Sequence, residues 1–177
     1  MSKRLKRPVK WIASRSEGFL SDHQGRDHQS EAQLALDEDG KILALKVTSY
    51  ANLGAYMAGS AGGVQVVQYA NLPGTVYNIP AIELTILGVL TNTTPIGVFR
   101  GPGYAEANLI IERIIDKAAY QCKVDRAELR RINMHKVEDM PFTNALGGVV
   151  DSGNFCKVLD SALEKADYFG FNARKKQ

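Results

Sequence analysis

The chain has 177 residues, 45% of them hydrophobic and 23% charged, enough for one globular domain or for part of a larger one. Its formal charge is +3, but eight of its 22 basic residues cluster at the two ends (Lys3, Arg4, Lys6, Arg7, Lys10, Arg174, Lys175 and Lys176), leaving 14 against 19 acids in the body. That acidic body lacks the basic stripe of a nucleic-acid binder, so no nucleic-acid partner is expected.

Cys122 and Cys156 are the only cysteines and form no CxxC pair, which excludes a self-contained iron–sulfur cluster or a cysteine zinc site. Two isolated thiols suit a reducing compartment. The basic N-terminus runs into no apolar core of a secretory signal, and no stretch approaches the ~20 apolar residues of a membrane span. These features predict a cytoplasmic protein without a membrane segment.

In chain order, Met1–Lys6 reads as the last turn of a helix. Residues 32–36 alternate weakly into the turn signal Asp37-Glu38-Asp39-Gly40, and the Ile-, Leu- and Val-rich run 41–50 completes a predicted β-hairpin. A short helix is predicted over 64–71, stopped by Pro73-Gly74. The apolar run 81–90 predicts a strand covered on both faces. From Glu106 to Cys122 the period becomes helical, with Leu109, Ile110, Ile114, Ile115, Ala118 and Cys122 on one face. A second helix opens at Asp125 as N-cap, with Val124 and Leu129 placed as a hydrophobic staple. A third is predicted over 155–168, with Val158, Leu159, Ala162, Leu163 and Ala166 inward and Gly170 ending it. Strands precede helices, so the predicted class is α+β.

The familiar catalytic constellations are absent: no GxSxG, no phosphate-loop spacing, and no cysteine beside a base. His23, His28 and His135 share no metal-ligand spacing on one element. The His23/His28 pair, flanking Gly25-Arg26-Asp27, reads as a hydrogen-bonded surface loop rather than a metal pair. The informative segment is 91–103, Thr-Asn-Thr-Thr-Pro-Ile-Gly-Val-Phe-Arg-Gly-Pro-Gly, between a strand and a long helix. Gly97, Gly101 and Gly103 permit close approach of backbone to a ligand. N–H groups before the helix, with Arg100 between the glycines, suit an anion or a metal-bound oxygen. A sharp turn that merely needs its glycines explains the same residues. Glu106 and Glu112 read as structural, Glu106 through the helix dipole.

The run Thr91–Pro95 followed by Phe99-Arg100-Gly101-Pro102-Gly103 resembles the active-site loop of the molybdenum hydroxylases, the xanthine dehydrogenase, aldehyde oxidase and aerobic carbon monoxide dehydrogenase family, in their large molybdopterin-binding subunit. Segments 7–11, 15–17, 22–28, 52–56, 77–80 and 128–134 resemble the same family in the same order; the first two match its strand leading into a turn. The resemblance implies a partial molybdopterin-binding domain over 1–177, incomplete at both ends, because family large subunits run several times longer.

It further implies that Phe99, Arg100, Gly101 and Gly103 bind the cofactor, molybdenum being approached through backbone near Arg100 rather than by a direct metal ligand. Pro102 would line the substrate pocket. The general-base glutamate is expected outside this chain, so no catalytic residue is assigned within it. Molybdopterin with molybdenum would be held jointly with other segments, with FAD and 2Fe-2S on partner subunits or domains. The implied partners are the remainder of the large subunit, an iron–sulfur subunit, an FAD subunit and a small-molecule substrate. The implied reaction is water-derived hydroxylation of an aldehyde or heterocycle, with the isolated chain inactive.

Three residues depart from the family pattern. Pro102 cannot stack on a flat ring as an aromatic would, which disfavours a purine. Gly101 stands where the carbon monoxide-oxidising branch carries a copper-binding cysteine. Tyr104 stands where relatives often carry arginine. The alternative reading is a non-catalytic remnant or interaction module, and a split gene, a remnant and an incomplete sequence all remain open as origins.

Overall fold

The computed structural model describes residues 1–59, 61–70, 74 and 76–175. Helix α1 (Ser2–Leu5) is the expected single turn, closed by Lys6 at φ 50°. Residues 7–11 are not the strand that the resemblance suggests. They pair with no neighbour among the described residues, Pro8 offers no N–H, and Trp11 is 70% exposed. The segment 15–17 opens helix α2 (Arg15–Ser21) instead of forming a turn: the Ser14 hydroxyl accepts from Glu17 N–H, and the Glu17 carboxylate accepts from Ser14 N–H.

The hairpin is present as predicted. Strand β1 (His28–Leu36) pairs antiparallel with β2 (Ile42–Gly54), Leu34 opposite Leu45. Asp37 closes the turn by accepting from the N–H groups of Asp39 and Lys41, and Gly40 supplies a φ of 82°. Alternate β2 residues (Leu45, Val47, Ser49, Ala51, Leu53) point inward and are buried. After β2 comes a helical stretch, α3 (Ala61–Gly63) with a π-helical turn over Val64–Gln68, continuing through Ala70. Asn71 and Pro73, on which its predicted end falls, lie outside the described residues.

Strand β3 (Ile82–Leu90) joins β2 in parallel, completing a sheet of order β1-β2-β3. Its apolar run suggested cover on both faces, yet Leu87 and Leu90 are 46% and 62% exposed. The reason is position: β3 is an edge strand of this sheet, and its residues alternate between a half-buried and an exposed face before both open at its C-terminal end.

Helix α4 (Tyr104–Cys122) packs across the sheet, but through a different face from the one predicted. Ile115 and Ala118 are buried as expected; Leu109 and Cys122 are exposed, and Ala107, Ile111 and Ala119 take their places. The helix carries two apolar stripes, and the one rich in alanine allows closer approach to the sheet. Ile111 and Ile115 there join Ile42, Leu45 and Val47 of β2, with Tyr77, Ile79 and Leu129, in one core. Burying an isoleucine side chain contributes roughly 1.5–3 kcal/mol.

Asp125 caps α5 (Arg126–Asn133) as predicted, accepting from Ala127 and Glu128 N–H, and Val124 and Leu129 share the core. Arg130, only 14% exposed at its side chain, ties α5 to α4 through Glu112 (2.7 Å) and Asp116 (2.9 Å). Burial opposes its charge, but those two carboxylates outweigh it and hold the guanidinium pKa above its ordinary value. Tyr77 donates to Glu112 (2.6 Å); burial first, then that carboxylate, push its phenol up. Asn133, a buried amide, accepts from Ile42 N–H (2.7 Å) and donates to the carbonyls of Gly40 and Leu129, tying α5 to the hairpin turn.

A minor ribbon follows, β4 (Phe142–Thr143) with β5 (Val149–Val150). Helix α6 (Phe155–Lys165) ends five residues before Gly170, which sits at φ −78° as the N-cap of α7 (Phe171–Arg174). The reversal falls instead at Asp167, φ 44°, so Gly170 is not the stop that was predicted. None of α6 is fully buried: Leu159 and Leu163 are half-buried, while Val158, Ala162 and Ala166 are exposed. The helix rests on α5 by few contacts, among them Arg131 to Asp160. The class is α+β, as the sequence predicts.

Candidate functional site

The loop 91–103 leaves β3 and enters α4, and three separate stretches hold it. The first is the end of β2. Thr91 N–H donates to the Gly54 carbonyl (2.9 Å), Ala55 N–H to Thr93 (3.0 Å), and Ile96 N–H to Leu53 (3.3 Å). Gly54 has φ 76°, and a Cβ on it would lie 2.5 Å from Pro95 Cα, so only glycine allows the chains to pass.

Asn52 is the hub of this junction. Its Nδ2 donates to the Asp27 carboxylate (2.8 Å) and to Thr93 Oγ1 (3.0 Å). Its Oδ1 accepts from Gly54 N–H and from Thr91 Oγ1 (both 2.8 Å). One amide thereby joins the stretch before β1, the end of β2 and the loop.

The second stretch is 22–27. Gln24 and Ile96 form a parallel bridge: Gln24 N–H donates to Pro95 (3.2 Å), and Gly97 N–H to Gln24 (2.7 Å). A Cβ on Gly97 would meet His23 Cβ at 2.5 Å, and one on Gly25 would meet Phe99 Cβ at the same distance. Arg26 lies over the Phe99 ring, 4.6 Å from its centroid, and its guanidinium donates to the Arg100 carbonyl. Arg26 adopts φ 56°, a conformation that costs a non-glycine residue roughly 1–2 kcal/mol, and the contacts with Phe99 and Arg100 hold it there.

The third is a buried polar chain beneath the loop. Gln65, 1% exposed, donates to the Gly97 carbonyl (3.3 Å) and accepts from His28 Nε2 (2.9 Å). His28 Nδ1 meets the Ser49 hydroxyl (3.2 Å), which meets Ser30 (2.7 Å). His28 is thus a structural histidine, and no group of three or more metal-ligating side chains occurs among the described residues. His135, far along the chain, is stacked on Phe142 at 3.4 Å; burial lowers its pKa, with a backbone contact to Tyr77 and the charge of Asp139 opposing.

Held at these points, the loop presents its tip outward. Phe99 is 59% exposed and Arg100 is exposed; Gly101 and Pro102 are partly so. Gly101 and Gly103 have φ of 74° and 79°. A Cβ at Gly101 would meet nothing nearer than Arg26 Nη2 at 3.9 Å, so its peptide borders open space. Gly103 is the N-cap of α4 with no side chain capping it, leaving first-turn N–H groups for an external acceptor. A backbone cradle of this kind fits a large anionic, oxygen-rich cofactor approached through main chain. Phe99, Arg100, Gly101 and Pro102 are therefore contiguous on one accessible tip, which ends at the buried Gly103. Arg26, Asn52 and Gln65, which set that tip, were not singled out by sequence reasoning. Arg26 and Arg100 are 74 residues apart, and no local pattern announces their contact.

The model of the molybdopterin cofactor-binding domain family matches residues 1–134. The nicotine 6-hydroxylase large subunit of Paenarthrobacter nicotinovorans is 36% identical over 98% of this chain and 21% of that protein. The carbon monoxide dehydrogenase large chain of Hydrogenophaga pseudoflava is 33% identical over 97% of this chain and 22% of its own length. The crystal structure of quinoline 2-oxidoreductase from Pseudomonas putida 86 superposes with a TM-score of 0.89 at 35% identity, covering 98% of this chain and 22% of that one. The chain thus spans about a fifth of the length of the relatives it matches. With a family model over most of its residues and relatives alike across nearly all of them, the chain belongs to the molybdopterin cofactor-binding domain family.

Proposed function

We propose that residues 1–177 act as a partial molybdopterin-binding domain within the large subunit of a molybdenum hydroxylase, forming one wall of its cofactor and substrate site. The observation that carries this reading is the clamped loop, whose tip offers main chain at Gly101 just before the uncapped start of α4. Phe99, Arg100, Gly101 and Gly103 would hold the cofactor, largely through backbone, and Pro102 would border the substrate. When bound, the cofactor supplies the redox chemistry by which a water-derived oxygen enters the substrate. This chain orients the loop and contributes a fixed positive charge at Arg100; the general base is assigned to another part of the subunit.

Relatives named for nicotine and quinoline favour a heterocycle as substrate, with an aldehyde as the other class. Gly101 disfavours a copper site. The partners would be the remainder of the large subunit with iron–sulfur and FAD subunits. Among the described residues no helix is long and apolar enough to cross a membrane, and two free cysteines accord with a cytoplasmic assembly.

Metal analysis tests the reading: the chain is purified alone and again after co-expression with the flanking segments of a large subunit. Molybdenum in the co-expressed complex and none in the chain alone is the expected result. A soluble, folded complex without molybdenum would favour a non-catalytic interaction module.

A further inference from the structure

Glu106 occupies the first turn of α4 and is 7% exposed, yet neither of its carboxylate oxygens has a hydrogen-bond partner in the structure. The sequence reading assigns it to the helix dipole, which favours its charge but gives neither oxygen a hydrogen-bond donor. An unpaired buried carboxylate is costly unless donors reach it. Beside it the Tyr69 hydroxyl is also buried. Burial pushes the Tyr69 phenol up, the Ser30 and Ser49 hydroxyls oppose this, and the charge of Glu106 adds to the rise.

Glu106 lines a groove of about 770 Å³ between β1 and α4. Arg26, Ser30 and Ala32 line one side; Leu109, Ile110 and Ile114, the second apolar stripe of α4, line the other, interspersed with Arg113 and Lys117. The groove continues to Tyr120, and a helix rising 1.5 Å per residue makes that about 20 Å from Glu106. Such a length suits extended polypeptide better than a small molecule. β1 is also an edge of the sheet, nine residues long, and its outer edge is unpaired among the described residues. The matched relatives have about four-fifths of their length outside the region that this chain covers.

We propose that this groove seats an extended segment of the same large subunit, from outside the region matched here, which brings N–H donors to the Glu106 carboxylate. Its apolar residues cover Leu109, Ile110 and Ile114, and its donors, whether a guanidinium or main-chain N–H groups, are chosen by the charge and the two free acceptor atoms of Glu106. The inference rests on the large-subunit reading above and adds to it a second contact, running along α4 from its first turn, beside Arg26.

The test uses the chain and its complex with co-expressed flanking segments, comparing wild type with Glu106→Leu and Glu106→Gln. On assembly of the wild type, amide exchange in residues 28–36 and 104–117 should slow at least tenfold. Glu106→Leu should leave the chain alone as stable as wild type or more so, because it removes an orphaned charge. It should nevertheless weaken assembly by about 30-fold or more, as expected for truncating one partner of a buried charged contact. Glu106→Gln, which keeps one acceptor oxygen, should fall between. Complex formation with unchanged exchange in β1, or with wild-type affinity in Glu106→Leu, overturns the proposal while leaving the large-subunit reading intact. So does a loss of stability in the chain alone equal to the loss in assembly, which would make Glu106 a structural residue. Failure of the wild-type chain to associate at all overturns the large-subunit reading, and the groove assignment with it.

Discussion

Replacing the half-buried Asn52 should loosen the candidate cofactor loop, and the structure gives the size of the effect. Its amide makes four hydrogen bonds, to Asp27, Thr93, Gly54 and Thr91, and one of them ends on a carboxylate. A neutral hydrogen bond contributes a net ~1 kcal/mol and one to a charged group ~1.5–3 kcal/mol. Water can reach this junction and replace part of each, so Asn52→Ala should cost about 3 kcal/mol rather than the full sum. In a chain of this length that is a fall in Tm of about 8 °C.

Asn52→Asp separates this reasoning from simple loss of packing. It keeps the shape but sets a new carboxylate where an amide now lies 2.8 Å from the Asp27 carboxylate. Two like charges about 4 Å apart repel by ~1 kcal/mol even at the dielectric of water. The aspartate variant keeps the acceptor bonds to Gly54 and Thr91 that alanine loses, but carries this repulsion at pH 7. Protonation relieves the repulsion, so the aspartate variant should gain stability relative to the alanine variant as pH falls toward ~4. Urea unfolding by circular dichroism gives the stabilities, and limited proteolysis within 91–103 reports on the loop. A loss below ~0.5 kcal/mol in Asn52→Ala with unchanged proteolysis, or no pH-dependent gap between the variants, would refute the clamp.

Gly101→Val should reduce molybdenum in the co-expressed complex far more than Arg100→Ala, because φ 74° is closed to a β-branched residue and the expected contact is through backbone; the reverse order would sink that assignment. Asn133→Ala should cost about 3 kcal/mol in urea unfolding, since it orphans the buried N–H of Ile42 and the carbonyl of Gly40. For His135, burial depresses the folded-state pKa below the unfolded value of about 6.5, so the unfolded chain binds the extra proton. Its contribution to stability should be full above pH ~6.5 and decline as pH falls through the depressed value, and His135→Phe should flatten that part of the pH profile.

What was legible in the sequence was local. The Asp37–Gly40 turn, the Asp125 cap and the long helix after Gly103 each carry their signal within a few residues, and all three are present. The loop stood out for the same reason, through glycines whose positive φ the structure bears out at 101 and 103. What was not legible depends on partners distant in sequence. Helical periodicity shows that α4 has apolar stripes but not which one meets the sheet, so Leu109 was read as inward while Ala107 and Ile111 do the packing. No window around Arg26 or Gln65 contains the residues they bind, and a window around Asn52 contains only Gly54 of its four partners. Glu106 resembled an ordinary first-turn acid because nothing adjacent in sequence reveals that it is buried.

The misread positions share a physical character that bears on function. Leu109, Leu87 and Leu90 look buried from their sequence context, and each is exposed in this chain. Glu106 looks solvated and is buried without donors. In a self-contained domain such conflicts would be expensive, since exposed apolar strips invite association and an orphaned carboxylate destabilises its surroundings. In one wall of a large subunit they resolve together. Partner segments would cover the leucines, and N–H donors would reach Glu106 in the groove between β1 and α4. The local rules then failed at these positions because they describe contacts the large-subunit reading assigns to other segments. Hydrogen exchange on the assembled complex asks this directly: protection should appear at β3 and along the outer stripe of α4, while the core around Ile111 and Ile115 changes little.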